Sequence, residues 1–243
     1  MRKFVRPFTF GKDMSPLVSD QMWLLALLAA GSFVFAMVTV FIVSMFTDIR
    51  ISAWGVVGSI APWYIAIMAG WILFVQLPLF VSHGRTREFG FRQWAIIGAI
   101  LAPLGAILMA IGFLLERGIY NLAGFSFDGE NEQFFSGASD LVTVTLQYLI
   151  TFGVWFALGG LVGISLYRSE DWGWVSIPIA IGIASVSGAW NHTGGGLFGF
   201  VRRIVPGINY ESIWLDLGLS GVAIAVGVWL IRILIHDLPL RNP

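Results

Sequence analysis

Polar residues that could do chemistry are scarce in this chain and fall in a few places. His83, Arg85, Arg87, Glu88 and Phe89 crowd the most polar stretch between apolar runs, Ser82 to Gln93. Gln76 and Gln147 stand deep inside apolar runs, where an amide can line a polar cavity or hydrogen-bond a neighbouring helix. Glu116, Arg202 and Arg203 fall at the opposite ends of other runs and are candidates for an outer gate. None of these sets is a catalytic constellation. No G-x-x-x-x-G-K-[S/T] loop is present to cradle phosphates. No H-E-x-x-H occurs, and His83, His192 and His236 are far apart, so no metal site is expected. Ser187 lies in Ala184-Ser185-Val186-Ser187-Gly188, which lacks the first glycine of an intramembrane serine protease motif, and no apolar run offers an interior histidine to activate it. The absence of cysteine removes thiol nucleophiles and disulfides. The chain itself is therefore expected to be neither an enzyme nor a cofactor carrier.

Lipid-spanning helices must position these residues. Of 243 residues, 57% are hydrophobic and 12% charged, about half the charge of an ordinary soluble domain. Six apolar runs, at residues 22–46, 54–81, 94–115, 141–167, 174–190 and 213–235, each approach the ~20 residues that cross a bilayer core. Backbone groups in lipid must be satisfied within each span, and strand alternation is absent, so helices are expected. The predicted fold class is all-α, a polytopic membrane protein of six transmembrane helices forming a single domain over 1–243. With the N-terminus inside, ten Lys and Arg fall on inner segments and four on outer ones, which places both termini in the cytoplasm. Residues 1–21 interleave Arg2, Lys3, Arg6 and Lys12 with Phe4, Phe8 and Phe10, a composition suited to an interfacial segment on membrane lipid or to a plain basic tail. They do not read as a signal peptide. Residues 192–212 read as a re-entrant or interfacial helix, or as a plain outer loop. The net charge of zero argues against a nucleic-acid partner.

The stretch Ser82-His83-Gly84-Arg85-Thr86-Arg87-Glu88-Phe89 resembles the loop between helices two and three of small bacterial permease subunits of ATP-binding-cassette transporters, the type-2 exporter class. Leu115-Glu116-Arg117 at the end of the third run is similar, as are Gly159-Gly160-Leu161-Val162-Gly163 and Tyr167-Arg168 at the end of the fourth. Glu88 departs from the pattern, where a second basic residue is commoner, and so does the acidic Ser169-Glu170-Asp171-Trp172. The resemblance implies a permease subunit in the bacterial plasma membrane that exports a hydrophobic or amphipathic substrate, such as a peptide, lipid or drug. It implies a separate cytoplasmic ATPase subunit carrying ATP and magnesium, and a second copy or homologous permease. His83, Arg85, Arg87, Glu88 and Phe89 would then couple to that ATPase. The plainer reading of the same charges is the inner-face bias of any membrane protein. A different class of function, a membrane immunity or sensing subunit binding a peptide at its outer face, would rest on the acidic stretch Gly118 to Asp140.

Overall fold

A computed structural model describes residues 15–45, 52–124, 141–186 and 213–236. It is helical throughout, with no strand among the described residues. The helices are α1 (Ser15–Ser44), α2 (Ala53–Trp71), α3 (Leu77–Ser82), α4 (Arg87–Ala123), α5 (Leu141–Arg168), α6 (Glu170–Val186) and α7 (Ile213–His236). A π-helical segment, Ile72–Gln76, joins α2 to α3, so the two helices and this segment form one span, Ala53–Ser82.

Among the described residues, five helical spans are long and apolar enough to cross a membrane, and the chain is a multi-pass membrane protein. The expected fifth span, 174–190, overlaps α6, whose described part has 17 residues and ends at Val186. Residues 187–190 lie outside the described residues. So does most of the expected N-terminal interfacial segment, although its described part, from Ser15 on, already belongs to α1.

The third span begins earlier than its hydropathy suggests. Thr86 caps α4, and Arg87, Glu88 and Arg92 occupy its opening turns. Charged residues in a helix's first turns are invisible to a search for apolar runs. At the other end α4 continues past residue 115 to Ala123, closed by Gly124 at φ 73°.

α5 is the hub, packing against α2, α4, α6 and α7. Its buried face is rich in aromatics and glycine. The closest crossing is with α2, where a Cβ added to Gly159 would overlap the Ala66 carbonyl and one added to Gly163 the Gly70 carbonyl. Small residues four apart on both helices let the backbones touch, and dispersion replaces the hydrophobic effect that lipid cannot supply. On α4, Gly98, Gly105 and Gly112 recur every seven residues along one face. Their hollows receive Phe156, Phe152 and Trp54 respectively. α1 sits at the edge of the bundle, against α2 and α4, with much of its apolar surface exposed.

Candidate functional site

The stretch expected to be the polar loop is a four-residue turn followed by helix. α3 ends in a Schellman motif: the Arg85 amide donates to the Phe80 carbonyl at 2.9 Å and the Gly84 amide to the Val81 carbonyl at 2.9 Å. Gly84 takes the left-handed conformation this closure needs, φ 77°. Thr86 then caps α4, its hydroxyl accepting from the Phe89 amide at 3.2 Å. The His83 ring contacts the Leu79 carbonyl at 2.7 Å. The Arg85 guanidinium lies over the Phe89 ring at 5.0 Å, a cation–π contact, and Phe80 meets Phe89 edge-on at 5.6 Å. Local hydrogen bonds on both sides therefore fix the turn. His83, Gly84, Arg85 and Thr86 remain exposed at its tip.

The five residues expected to act together divide into two groups. His83 and Arg85 belong to the tip, and Phe89 supports it. Arg87 and Glu88 instead reach α7. The Arg87 guanidinium donates to the His236 carbonyl at 3.1 Å, serving the last turn of α7. Glu88 stands 3.9 Å from Arg232, both side chains exposed. An exposed pair at that distance contributes roughly 0–1 kcal/mol.

Gln76 is 8% exposed at the end of the π segment. Its Oε1 has no hydrogen-bond partner among the described residues. Gln147, half-buried on α5, also has an Oε1 without one. Among the described residues no hydrogen bond links the two amides, and neither oxygen makes the interhelical bond that intramembrane glutamines are expected to make.

Glu116 departs most from expectation. Its position at the end of an apolar run suggests a carboxylate reaching the membrane surface, yet it is 0% exposed. It crosses to the N-terminus of α2. Ser52 donates its hydroxyl to Oε2 at 2.7 Å, and the Trp54 amide donates to Oε1 at 3.0 Å. The Ala53 amide and the Tyr120 hydroxyl lie close to the same carboxylate. Ser52 also accepts from the Gly55 amide at 2.9 Å, as the N-cap of α2. The first amides of a helix have no partner in their own helix and carry its positive dipole end, so a carboxylate is a suitable buried counterpart. Trp54 reinforces the junction, its indole N–H donating to the Met109 carbonyl at 2.9 Å. Glu116 is thus a structural clamp between α2 and α4 rather than a free gate residue. Arg202 and Arg203 lie outside the described residues.

Sequence reasoning did not single out Ser52, Trp54 and Tyr120. Two local signals were available: serine immediately before a helix start, and Glu116 and Tyr120 four apart on one helical face.

Beside the α2–α5 crossing lies a groove of about 370 Å³ between α2 and α6, with α5 at its floor. Trp63, Trp71 and Phe74 line it from the Ala53–Ser82 span, and Trp155 from α5. Trp63 and Trp155 pack at 4.7 Å. Tryptophan favours the two membrane surfaces, whereas Trp63 and Trp71 stand well inside their span. No protein-family model, no curated protein and no solved structure matches this chain.

Proposed function

We propose that this chain is the transmembrane permease subunit of an ATP-driven transporter, of the type-2 exporter class that the sequence resembles. The observation that carries the reading is the His83–Thr86 turn. It is closed on one side by a Schellman motif and on the other by a helix cap, and it presents His83 and Arg85 outward. A rigid, charged tip at the end of a helical hairpin can take a push from a partner protein and pass it to the spans. A flexible loop would absorb it.

In this reading the tip faces the cytoplasm, the six spans bring both termini inside, and the setting is the bacterial plasma membrane. The chain lacks a phosphate-binding loop, so ATP and magnesium are handled by a separate ATPase subunit, and a second copy or homologous permease completes the pathway. The coupling role falls first on His83 and Arg85, which stand at the tip, with Phe89 as support, while Arg87 and Glu88 stand toward α7. The apolar groove between α2 and α6 favours a hydrophobic or amphipathic substrate.

The test is affinity purification of the tagged chain in mild detergent, wild type beside Arg85→Glu, followed by ATPase measurement. The expected result is an ATPase subunit accompanying the wild type, with its association or substrate-stimulated turnover lost in a folded Arg85→Glu protein. A well-folded wild type with no associated ATPase would overturn the transporter reading and make peptide binding at the opposite face the leading alternative.

A further inference from the structure

The Ala53–Ser82 span is held differently along its length. Its first part is immobilised twice. Glu116 clamps its N-terminus to α4, and Ala66 and Gly70 lie backbone to backbone against Gly159 and Gly163. Backbone atoms have no rotamers with which to give way. Two residues beyond Gly70 the regular helix stops. Through Ile72–Gln76 the pattern is π-helical, and the Leu77 amide donates to the Ile72 carbonyl five residues back. Pro78 follows, with no N–H to offer the preceding turn.

Beyond that point α3, the turn and the opening of α4 form one unit. Leu77 fills the hollow at Gly90, Phe80 packs on Phe89, and the turn is closed by its own hydrogen bonds. The returning helix has its own weak point in Pro103, inside α4. Trp94 and Gly98 pack on Phe156 of α5 before Pro103 is reached, so the part of α4 free to swing is its opening turns, ahead of Trp94.

We propose that the π segment is a hinge on which α3, the His83–Thr86 turn and the first turns of α4 swing as one body against the fixed α2–α5 pair. Gln76 supplies the second line of argument. It is nine-tenths buried with an amide oxygen that no described residue satisfies. Buried polar atoms in folded proteins nearly always have partners, so an orphan inside the π segment calls for an explanation, and the hinge supplies one. The swing brings that oxygen to a partner and so gives the second arrangement its own stabilisation. Among the described residues, the moving body meets α7 through two exposed polar contacts that can be exchanged at little cost: Arg87 with the His236 carbonyl, and Glu88 with Arg232. The hinge is read from this chain alone. Its use, carrying an ATPase's motion to the groove between α2 and α6, rests on the permease reading.

The chain has no cysteine, so introduced pairs can be spin-labelled uniquely and their distances measured by pulsed electron paramagnetic resonance in lipid nanodiscs. One pair, His83→Cys with Trp172→Cys, spans the tip and the start of α6. The other, Val56→Cys with Val142→Cys, spans the clamped ends of α2 and α5. The expected wild-type result is a distance distribution at least twofold broader, or split in two, for the first pair, and a narrow one for the second. Gln76→Leu and Pro78→Ala, separately and together, should narrow the first pair towards the width of the second. If Gln76→Leu disturbs the bundle, the second pair broadens, and Pro78→Ala alone then decides. A first pair as narrow as the second in wild type, or unchanged by Pro78→Ala, overturns the hinge. A moving tip in a chain that never binds an ATPase would leave the hinge standing and remove the permease reading.

Discussion

Replacing Glu116 tests the clamp at the head of α2 directly. The carboxylate accepts from Ser52 at 2.7 Å and from the Trp54 amide at 3.0 Å, with the Ala53 amide and Tyr120 hydroxyl close by. Gln keeps the shape and one acceptor oxygen. Its amide can still accept from Trp54, but its NH2 group replaces the oxygen that Ser52 donates to. One hydrogen bond is then lost or reversed, for about 1–2 kcal/mol. Ala removes both acceptor oxygens and leaves the buried Trp54 amide and the part-buried Ser52 hydroxyl without this partner, each costing about 1–3 kcal/mol when unsatisfied. Some relaxation and water entry at the helix end reduce that sum, so the expected loss is about 4 kcal/mol, in the range reserved for broken buried networks. The assay is reversible unfolding in mixed micelles by titration with SDS, followed by tryptophan fluorescence and circular dichroism. Ser52→Ala in both backgrounds closes a double-mutant cycle, and the shared bond should make the two changes non-additive. The reasoning is refuted if Glu116→Ala lies within about 0.5 kcal/mol of wild type, the scatter of ordinary surface substitutions.

Other outcomes follow from the same geometry. Gly84→Ala forces a Cβ into a left-handed backbone at φ 77° and should cost about 1–2 kcal/mol, read as faster proteolysis at the turn and a lower unfolding midpoint. Gly159→Leu has no room against the Ala66 carbonyl and should cost about 3 kcal/mol or more, whereas Gly182→Leu, with nothing within 4 Å, should fold like wild type by gel filtration. Trp54→Phe abandons the 2.9 Å bond to the Met109 carbonyl but keeps most of the ring, and should cost about 1–2 kcal/mol in the same titration. Arg232→Ala should change stability by less than about 1 kcal/mol, because its partner Glu88 is equally exposed.

The spans were legible because hydropathy over some twenty residues is decided by lipid alone, and α5 ends at Arg168, within a residue of the end of its apolar run at 167. Glycines four apart at Gly159 and Gly163 also announced close packing, although the sequence did not say that Ala66 and Gly70 would meet them. The start of α4 was hidden because Arg87, Glu88 and Arg92 read as loop until Thr86 is recognised as a cap. Glu116 was misread for a deeper reason. Its burial depends on Ser52 and Trp54, more than sixty residues away in sequence, and no local pattern says which helix end a carboxylate will meet. The π segment was equally hidden: Pro78 hints at irregularity, but an extra residue in a helical turn leaves no signature in composition.

The glycines at 98, 105 and 112 of α4 bear on how the protein is made. Two of the three hollows are filled from α5, by Phe156 and Phe152, and only the third by Trp54 of α2. As the chain emerges, α2 and α4 can pair at the Glu116 end while the rest of their facing surface waits for a helix that has not yet been synthesised. A nascent chain stopped before Leu141 should carry a formed Glu116 junction above two unfilled sockets, and would depend on lipid or on an insertion chaperone to occupy them. Commitment to the final bundle therefore comes late, when the fourth span enters the bilayer.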